Sequence, residues 1–337
     1  MICRITSLSL VLACCAACSS DPSHSTTTAK APGAGGAMEE RSFHFEYTAV
    51  VSGLPAGAKS ARIWVPLPQT DSEQTISNLK VTSPVTVRET SDGLYGNKIA
   101  YVELQGPLPA QVPITVSFDA RRSEAKATKD FAWPGLRARA LQRDVLVPLD
   151  GQVAVRAEQA TTGKSTVADK ARGIYDRVLV DVAYDKSGQG WGRGDVQYVC
   201  QIGKGNCSDF HALFIGMARA KGIPSLFEIG FPLPVGKTEG EIGGYHCWAW
   251  FEDAGGTWRP VDASEADKDP SKTEYYFGTL CCNRVSFSRG RDIVLDPPQA
   301  GAPVNFFIYP YVEVDGKADV AKVDKKFSFK DLPAPGL

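Results

Sequence analysis

The hydrophobic period changes once along this chain, and that change restricts it to an α+β arrangement. Over residues 41–122 short runs alternate apolar and polar side chains. SFHFEYTAVV sets Phe43, Phe45, Tyr47 and Ala49 against polar neighbours, and ARIWVPL, LKVTS, VTVRE, KIAYVEL and ITVSFDA follow between clusters of Gly, Pro, Asn and Asp. A period of two marks half-buried strands, and strands spaced this way fit a small antiparallel sandwich. The period then lengthens. Val167, Ala171, Ile174, Val178 and Val182 recur at helical spacing behind Thr166-Val-Ala-Asp169, which resembles a capping box. A second helix is expected from Cys207, with Phe210, Leu213, Phe214 and Met217 on its apolar face and Gly222 and Pro224 ending it. Strands return at SLFEIGF, YHCWAWF and TWRPVDA, and a Gly-rich loop at 232–244 is long enough to act as a lid. Helices followed by a run of strands make an α+β order, not a doubly wound repeat.

The chain has 337 residues, about twice a typical domain, so two domains are expected. These are the sandwich at 41–122 and a second domain at 165–337, joined by a charged, irregular connection at 123–164. Residues 1–18, MICRITSLSLVLACCAAC, carry one Arg, an apolar stretch and then small residues and cysteines. That is the plan of a secretory signal, too short for a finished membrane helix. Its end resembles a bacterial lipobox. Cys14 follows Val-Leu-Ala and Cys18 follows Cys-Ala-Ala; cleavage before Cys14 would leave an unusually short signal, so Cys18 is the expected lipidation site. An ordinary cleaved signal is the alternative. Residues 19–40 hold almost no large apolar side chains and are expected to form a flexible tether. The expected location is therefore the cell envelope, as a periplasm-facing or surface lipoprotein held to the membrane by its N-terminal lipid, or outside the cell if the signal is simply cleaved. With 37 basic and 38 acidic side chains the net charge is −1, which excludes the basic footprint that nucleic acid selects for.

Three segments carry the candidate chemistry: GNCSDFHALF, GYHCWAWF and WRPVDAS. A thiol attacks a carbonyl well only as the thiolate, and a helix N-terminus favours that anion, so Cys207 sits where the field is strongest. Gly203 and Gly205 before it would let backbone come close to a substrate. His246 opens a strand whose pleat puts His246, Trp248 and Trp250 on one face. Its imidazole could take the thiol proton and later return one to a leaving amine, with Asp262 on the next strand holding the ring. Asp209 is read as a helix cap and His211 as a packed neighbour one turn from Cys207. Trp248 and Trp250 are candidates for a cleft floor or the core, and His44 is read as a sheet-surface residue. Cys247 points to the face opposite His246, which argues against a His–Cys zinc pair. Beyond residues 1–18 no C-x-x-C pair occurs, and the sequence holds no His-Glu-x-x-His helix and no EF-hand-like acidic loop, so neither a metal nor a cofactor is expected.

The order Cys, His, Asp with gaps of 39 and 16 residues, around a Gly-x-Cys-x-Asp core, resembles the transglutaminase-like superfamily. ARAKGIPSLFEIGF is similar to that family's helix-exit segment, and NRVSFSRGRDIVL and NFFIYPYVEVDG are similar to the tail of its bacterial members. The resemblance implies a papain-like core with Cys207 as nucleophile, His246 as base and acid, and Asp262 orienting the imidazole. It implies an oxyanion hole that includes the Cys207 N–H. Gln201, six residues before the Cys, is the candidate side-chain donor, with Trp191 and Tyr198 as rivals. If Cys207 is free, Cys200, Cys247, Cys281 and Cys282 could form two bridges in any of three pairings, and a Cys200–Cys207 bridge would silence the site. The expected activity is thiol-dependent acyl transfer or hydrolysis on amides of proteins, peptides or cell-wall peptide stems. The alternatives are a papain-like peptidoglycan endopeptidase and a non-catalytic binding protein of the same fold.

Overall fold

In the computed structural model the described residues are 39–129, 135–318 and 320–333. The expected signal, its Cys18 and nearly all of the 19–40 tether lie outside them. Strands β1 (Glu40–Ser52), β2 (Ser60–Pro66), β3 (Gln74–Thr82), β4 (Arg88–Ser91), β5 (Lys98–Gln105) and β6 (Gln111–Ser123) form where alternation predicts them. In β1 the inward set Phe43, Phe45, Tyr47, Ala49 and Val51 is fully buried, as a single apolar face requires. Helices α1 (Gln152–Thr161) and α2 (Val167–Asp181) follow, then β7 (Ala183–Tyr184), α3 (Val196–Ile202), β8 (Lys204–Gly205) and α4 (Cys207–Ala220). Next come β9 (Ser225–Pro232), β10 (Glu239–Glu241), β11 (His246–Asp253), β12 (Thr257–Val261), α5 (Ala263–Lys268), α6 (Thr273–Tyr276) and β13 (Arg284–Arg289). The described chain closes with β14 (Tyr311–Val314), β15 (Lys317–Ala318) and β16 (Lys322–Asp331).

The sandwich strands fall into two sheets, ordered β10-β16-β1-β6-β3 and β15-β14-β2-β5-β4. Both therefore contain strands from the far end of the chain as well as from 41–122. Phe45 stands between Phe118 of β6 and Phe329 of β16 in register. A third sheet, β12-β11-β9-β13, carries the candidate site. Its Phe231 and Phe287 rings lie 5.5 and 5.7 Å from the ring of Phe45, so one apolar core runs from the sandwich into this sheet. Aromatic contacts at these separations add to plain area burial.

Two features depart from the sequence expectation. The connection at 123–164 contains α1, a short amphipathic helix that turns Val153, Ala157 and Thr161 inward where an irregular segment was expected. The loop at 232–244 is not free, because β10 pairs within it onto β16, with Glu239 opposite Lys330. Helix α4 occupies the centre. Every residue from Cys207 to Arg219 is buried, because β9 and β11 cover one side and α1, α2 and α3 cover the others.

Candidate active site

Helix α4 begins with a full capping box. The Asn206 side chain accepts from the Ser208 N–H at 2.9 Å, and the Asp209 carboxylate accepts from the Asn206 N–H at 2.9 Å. The Asn206 carbonyl takes the N–H groups of Asp209 and Phe210. The Cys207 N–H is thus the open donor at the helix tip among the described residues, beside its own sulfur. Asp209 is a cap, as expected, and also a staple: its two oxygens accept from the N–H groups of Gly192 and Gly194, at 2.6 and 3.0 Å, which ties the 188–194 loop to the helix start. Gly205 serves this staple, not the substrate. A Cβ there would stand 2.3 Å from the Asp209 carboxylate.

The first residue of β11 and the residue that follows β12 and caps α5 bring the other two groups in. His246 Nε2 lies 2.7 Å from Asp262 Oδ2, which leaves Nδ1 to face the Cys207 thiol within hydrogen-bonding reach. All three side chains are buried, with exposures of 2, 4 and 0% for Cys207, His246 and Asp262. Burial alone would push the Cys207 thiol up. The contacts from Cys247 and His246 outweigh it and hold the thiol well below its ordinary range. Burial would likewise pull His246 down, but the charge and hydrogen bond of Asp262 and the contact with Cys207 raise it to about 10. Burial pushes the Asp262 carboxyl up, and His246 and Arg284 together hold it far below the usual carboxylate range. The directions agree: sulfur gives up its proton and imidazole keeps one. This is the condition for a thiolate–imidazolium pair.

The neighbours complete the electrostatics. His211 Nε2 accepts from the Ala263 N–H at 3.1 Å, joining α4 to the turn that carries Asp262. Burial pulls its imidazole down to about 4, so it stays neutral. Unfolding returns this ring to about 6.5. Between those values the unfolded chain binds a proton that the folded chain refuses, so stability falls as pH drops from about 6.5 to about 4. The loss is roughly 3 kcal/mol. His246 acts in the opposite sense: its contribution is complete below about 6.5 and is lost as pH rises toward 10. Urea midpoints should therefore fall less between pH 7 and pH 4.5 in His211→Gln than in the unsubstituted protein. Equal losses in the two proteins would rule His211 out as the source.

The remaining candidates separate. Gln201 is exposed and lines a cavity of about 310 Å³ with Pro148, Gln152, Val196 and Cys200, whose walls include none of the triad. The cause is the turn at Gly203, with φ 67°, which ends α3 and directs its last turn to solvent before β8 leads back to Cys207. Tyr198 packs on Gly190. Aromatic side chains in the field of Cys207 are instead Tyr245, Tyr309 and Tyr184, the last pushed up to about 12 by burial and by that sulfur. No sequence feature singled Tyr184 out. Cys247 faces α4, as alternation demands, and its thiol stands 3.8 Å from Ser208 Oγ and 3.6 Å from His211 Nδ1, beside Cys207. Trp248 and Trp250 are both fully buried and floor no open cleft. His44 lies on the sheet surface against Asp119, at 2.7 Å. The five described cysteines are all free thiols, Cys200 and Cys207 included.

A buried thiol at a helix tip, met by an imidazole and a carboxylate from the ends of adjacent strands, defines a papain-like α+β protein. Residues 155–263 match the family model of the transglutaminase-like superfamily, and that span includes Cys207, His246 and Asp262. Over that span the chain is similar to the transglutaminase-like superfamily. An uncharacterized protein of Haemophilus influenzae is 26% identical over 307 residues, covering 78% of this chain and 83% of that protein. A crystal structure from Cytophaga hutchinsonii, provisionally named a cysteine protease, has the same fold. It aligns at a TM-score of 0.59 and 14% identity over 89% of this chain and 95% of that one.

Proposed function

We propose that the protein is a thiol-dependent acyltransferase or hydrolase of amide bonds, with Cys207 as nucleophile, His246 as acid and base, and Asp262 as its orienting group. The observation that carries this reading is the contact of the three groups in a dry pocket, with the proton affinity of sulfur lowered and that of imidazole raised. The Cys207 thiolate attacks the amide carbon, and a C–S bond forms as the carbonyl electrons move onto oxygen. The Cys207 N–H is aimed to stabilise that oxyanion. His246 Nδ1–H gives its proton to the departing nitrogen, the C–N bond breaks, and a thioester remains. Water or an amine then attacks the thioester, His246 takes its proton, and Cys207 leaves as thiolate. Hydrolysis and transfer differ only in which nucleophile reaches the thioester.

The N-terminal signal and Cys18 support a place in the cell envelope, on a lipid anchor, with protein, peptide or cell-wall peptide amides as substrates. The test is intact-mass analysis after incubation with glutamine-containing peptides and with peptidoglycan stem peptides. The expected result is an acyl adduct on Cys207, lost in Cys207→Ala, with release of ammonia or amine. No adduct and no turnover with either class, in a protein whose Cys207 labels no faster than its other thiols, would end this reading. Fatty-acid labelling in cells, lost in Cys18→Ala, checks the anchor.

A further inference from the structure

Arg284, the first residue of β13, is fully buried, and its guanidinium lies 4.8 Å over the ring of Trp248, two residues from His246 on the same strand. Its Nη1 donates to Asp262 Oδ2 at 2.9 Å, the oxygen that His246 Nε2 meets at 2.7 Å. The other oxygen, Oδ1, accepts from Ser264 Oγ and from the Glu265 N–H, both at 3.1 Å. Asp262 is therefore held at both oxygens by four donors, and two of these converge on one atom. Arg284 Nη2 reaches Cys281 Sγ at 3.5 Å, while its Nε is buried without a partner. A buried guanidinium with an unmatched N–H opposes folding, and its retention calls for a compensating role.

The charge count supplies one. With a neutral thiol and neutral imidazole, Asp262 and Arg284 cancel. With thiolate and imidazolium both formed, the four groups again sum to zero. They do so once more with an oxyanion and imidazolium, and again with a thioester and neutral imidazole. Without Arg284 each of these states carries one uncompensated negative charge in a pocket that excludes water, where such a charge is costly. We propose that Arg284 is a positioning residue that fixes the Asp262 carboxylate and keeps the buried triad electroneutral through the reaction cycle. This rests on the triad reading above.

The other groups facing the triad leave this count unchanged. Glu265, 3.9 Å from His246 Nε2, is paired with Lys268 on α5 at 2.7 Å. Asp209 is spent on the Gly192, Gly194 and Asn206 amides. His211 stays neutral, and Cys247 is pushed up by burial and by Cys207. Burial likewise raises the phenols of Tyr175 on α2, Tyr184 on β7 and Tyr276 on α6, and those of Tyr245 and Tyr309. The exception is Cys281, on the far side of the guanidinium, which Arg284 holds down against its burial and which therefore shares that charge with Asp262.

The experiment follows the rate of Cys207 alkylation by iodoacetamide against pH, with peptide mapping to separate Cys207 from the other thiols, in the intact protein and in Arg284→Met and Arg284→Lys. It needs no substrate. Removing a positive charge raises the proton affinity of every group nearby, so both limbs of the Cys207 profile should move up by about 1 pH unit or more in Arg284→Met. Labelling on the acid side should fall about tenfold, and Arg284→Lys should return both limbs toward their original positions. Unmoved limbs with only a lower amplitude in Arg284→Met would overturn the proposal, as would loss of the folded state in both variants, which would make Arg284 a residue of the fold alone. If the unsubstituted protein shows no limb below the ordinary thiol range, it is the triad reading that fails.

Discussion

His246→Ala should lower amide turnover by about three orders of magnitude and return Cys207 to the alkylation profile of an ordinary buried thiol. Both effects have one cause. Against its burial, Cys247 and the imidazole hold the thiol below its usual range, and in the proposed mechanism the imidazole also protonates the leaving nitrogen. Without it, burial is the largest influence left on Cys207, and burial favours the protonated form. The thiolate fraction near neutral pH then falls, and the leaving group departs as an unprotonated amide anion. His246→Ala removes a ring from the edge of β11 while Trp248 and Trp250 keep the strand packed, so a comparable urea midpoint is expected alongside the lost rate. The check is single-turnover kinetics paired with pH-dependent labelling. Retention of more than a tenth of the rate, or an unchanged labelling limb, would remove His246 from the mechanism.

The triad was legible because three local signals coincide with chemistry that needs them. Cys207 follows Asn206, a good cap, and precedes an apolar run, so its place at a helix tip could be read directly. His246 and Asp262 flank strands whose patterns are strong. What the sequence hid is set by tertiary contact. Arg284 lies 22 residues beyond Asp262, in the NRVSFSRGRDIVL segment, whose likeness to family tails gave it no role, and only the placement of β13 in the sheet brings its guanidinium to that carboxylate. Tyr184 sits on a two-residue strand, β7, whose parallel pairing with β8 carries it to Cys207, and so short a strand has no periodicity to read. Gln201, near Cys207 in sequence, stands exposed in the last turn of α3, which the left-handed turn at Gly203 ends. The sandwich strands at 41–122 were plain from alternation. That β14 and β16 join them was not, since strand partners far apart in sequence leave no local trace.

Glu228→Ala should destabilise the fold by about 3–5 kcal/mol, the largest stability loss expected of any single polar substitution near the site. Glu228 is 2% exposed and lies on β9, beside the strand that begins at His246 and opposite its Trp248. Its Oε2 accepts from the indole N–H groups of Trp248 at 2.5 Å and Trp250 at 2.6 Å, and its Oε1 accepts from Ser286 Oγ at 2.5 Å. Burial pushes this carboxyl up, but Arg289, 3.7 Å away, and Arg122 outweigh it and keep it ionised. Alanine would strip three buried donors of their acceptor and remove a negative charge that faces two buried guanidinium groups, of which Arg289 keeps its pair with Asp71. Glu228→Gln keeps an acceptor for the indoles and loses only the charge, so its cost should be clearly smaller. Urea unfolding of both variants, with unchanged slope, measures the two contributions separately. Because Trp248 and Trp250 anchor β11, Glu228→Ala should also slow Cys207 labelling at neutral pH, through a His246 less firmly held. A loss below about 1 kcal/mol in Glu228→Ala would mean that water or a neighbouring group replaces the carboxylate, and that β11 is held by its apolar contacts alone.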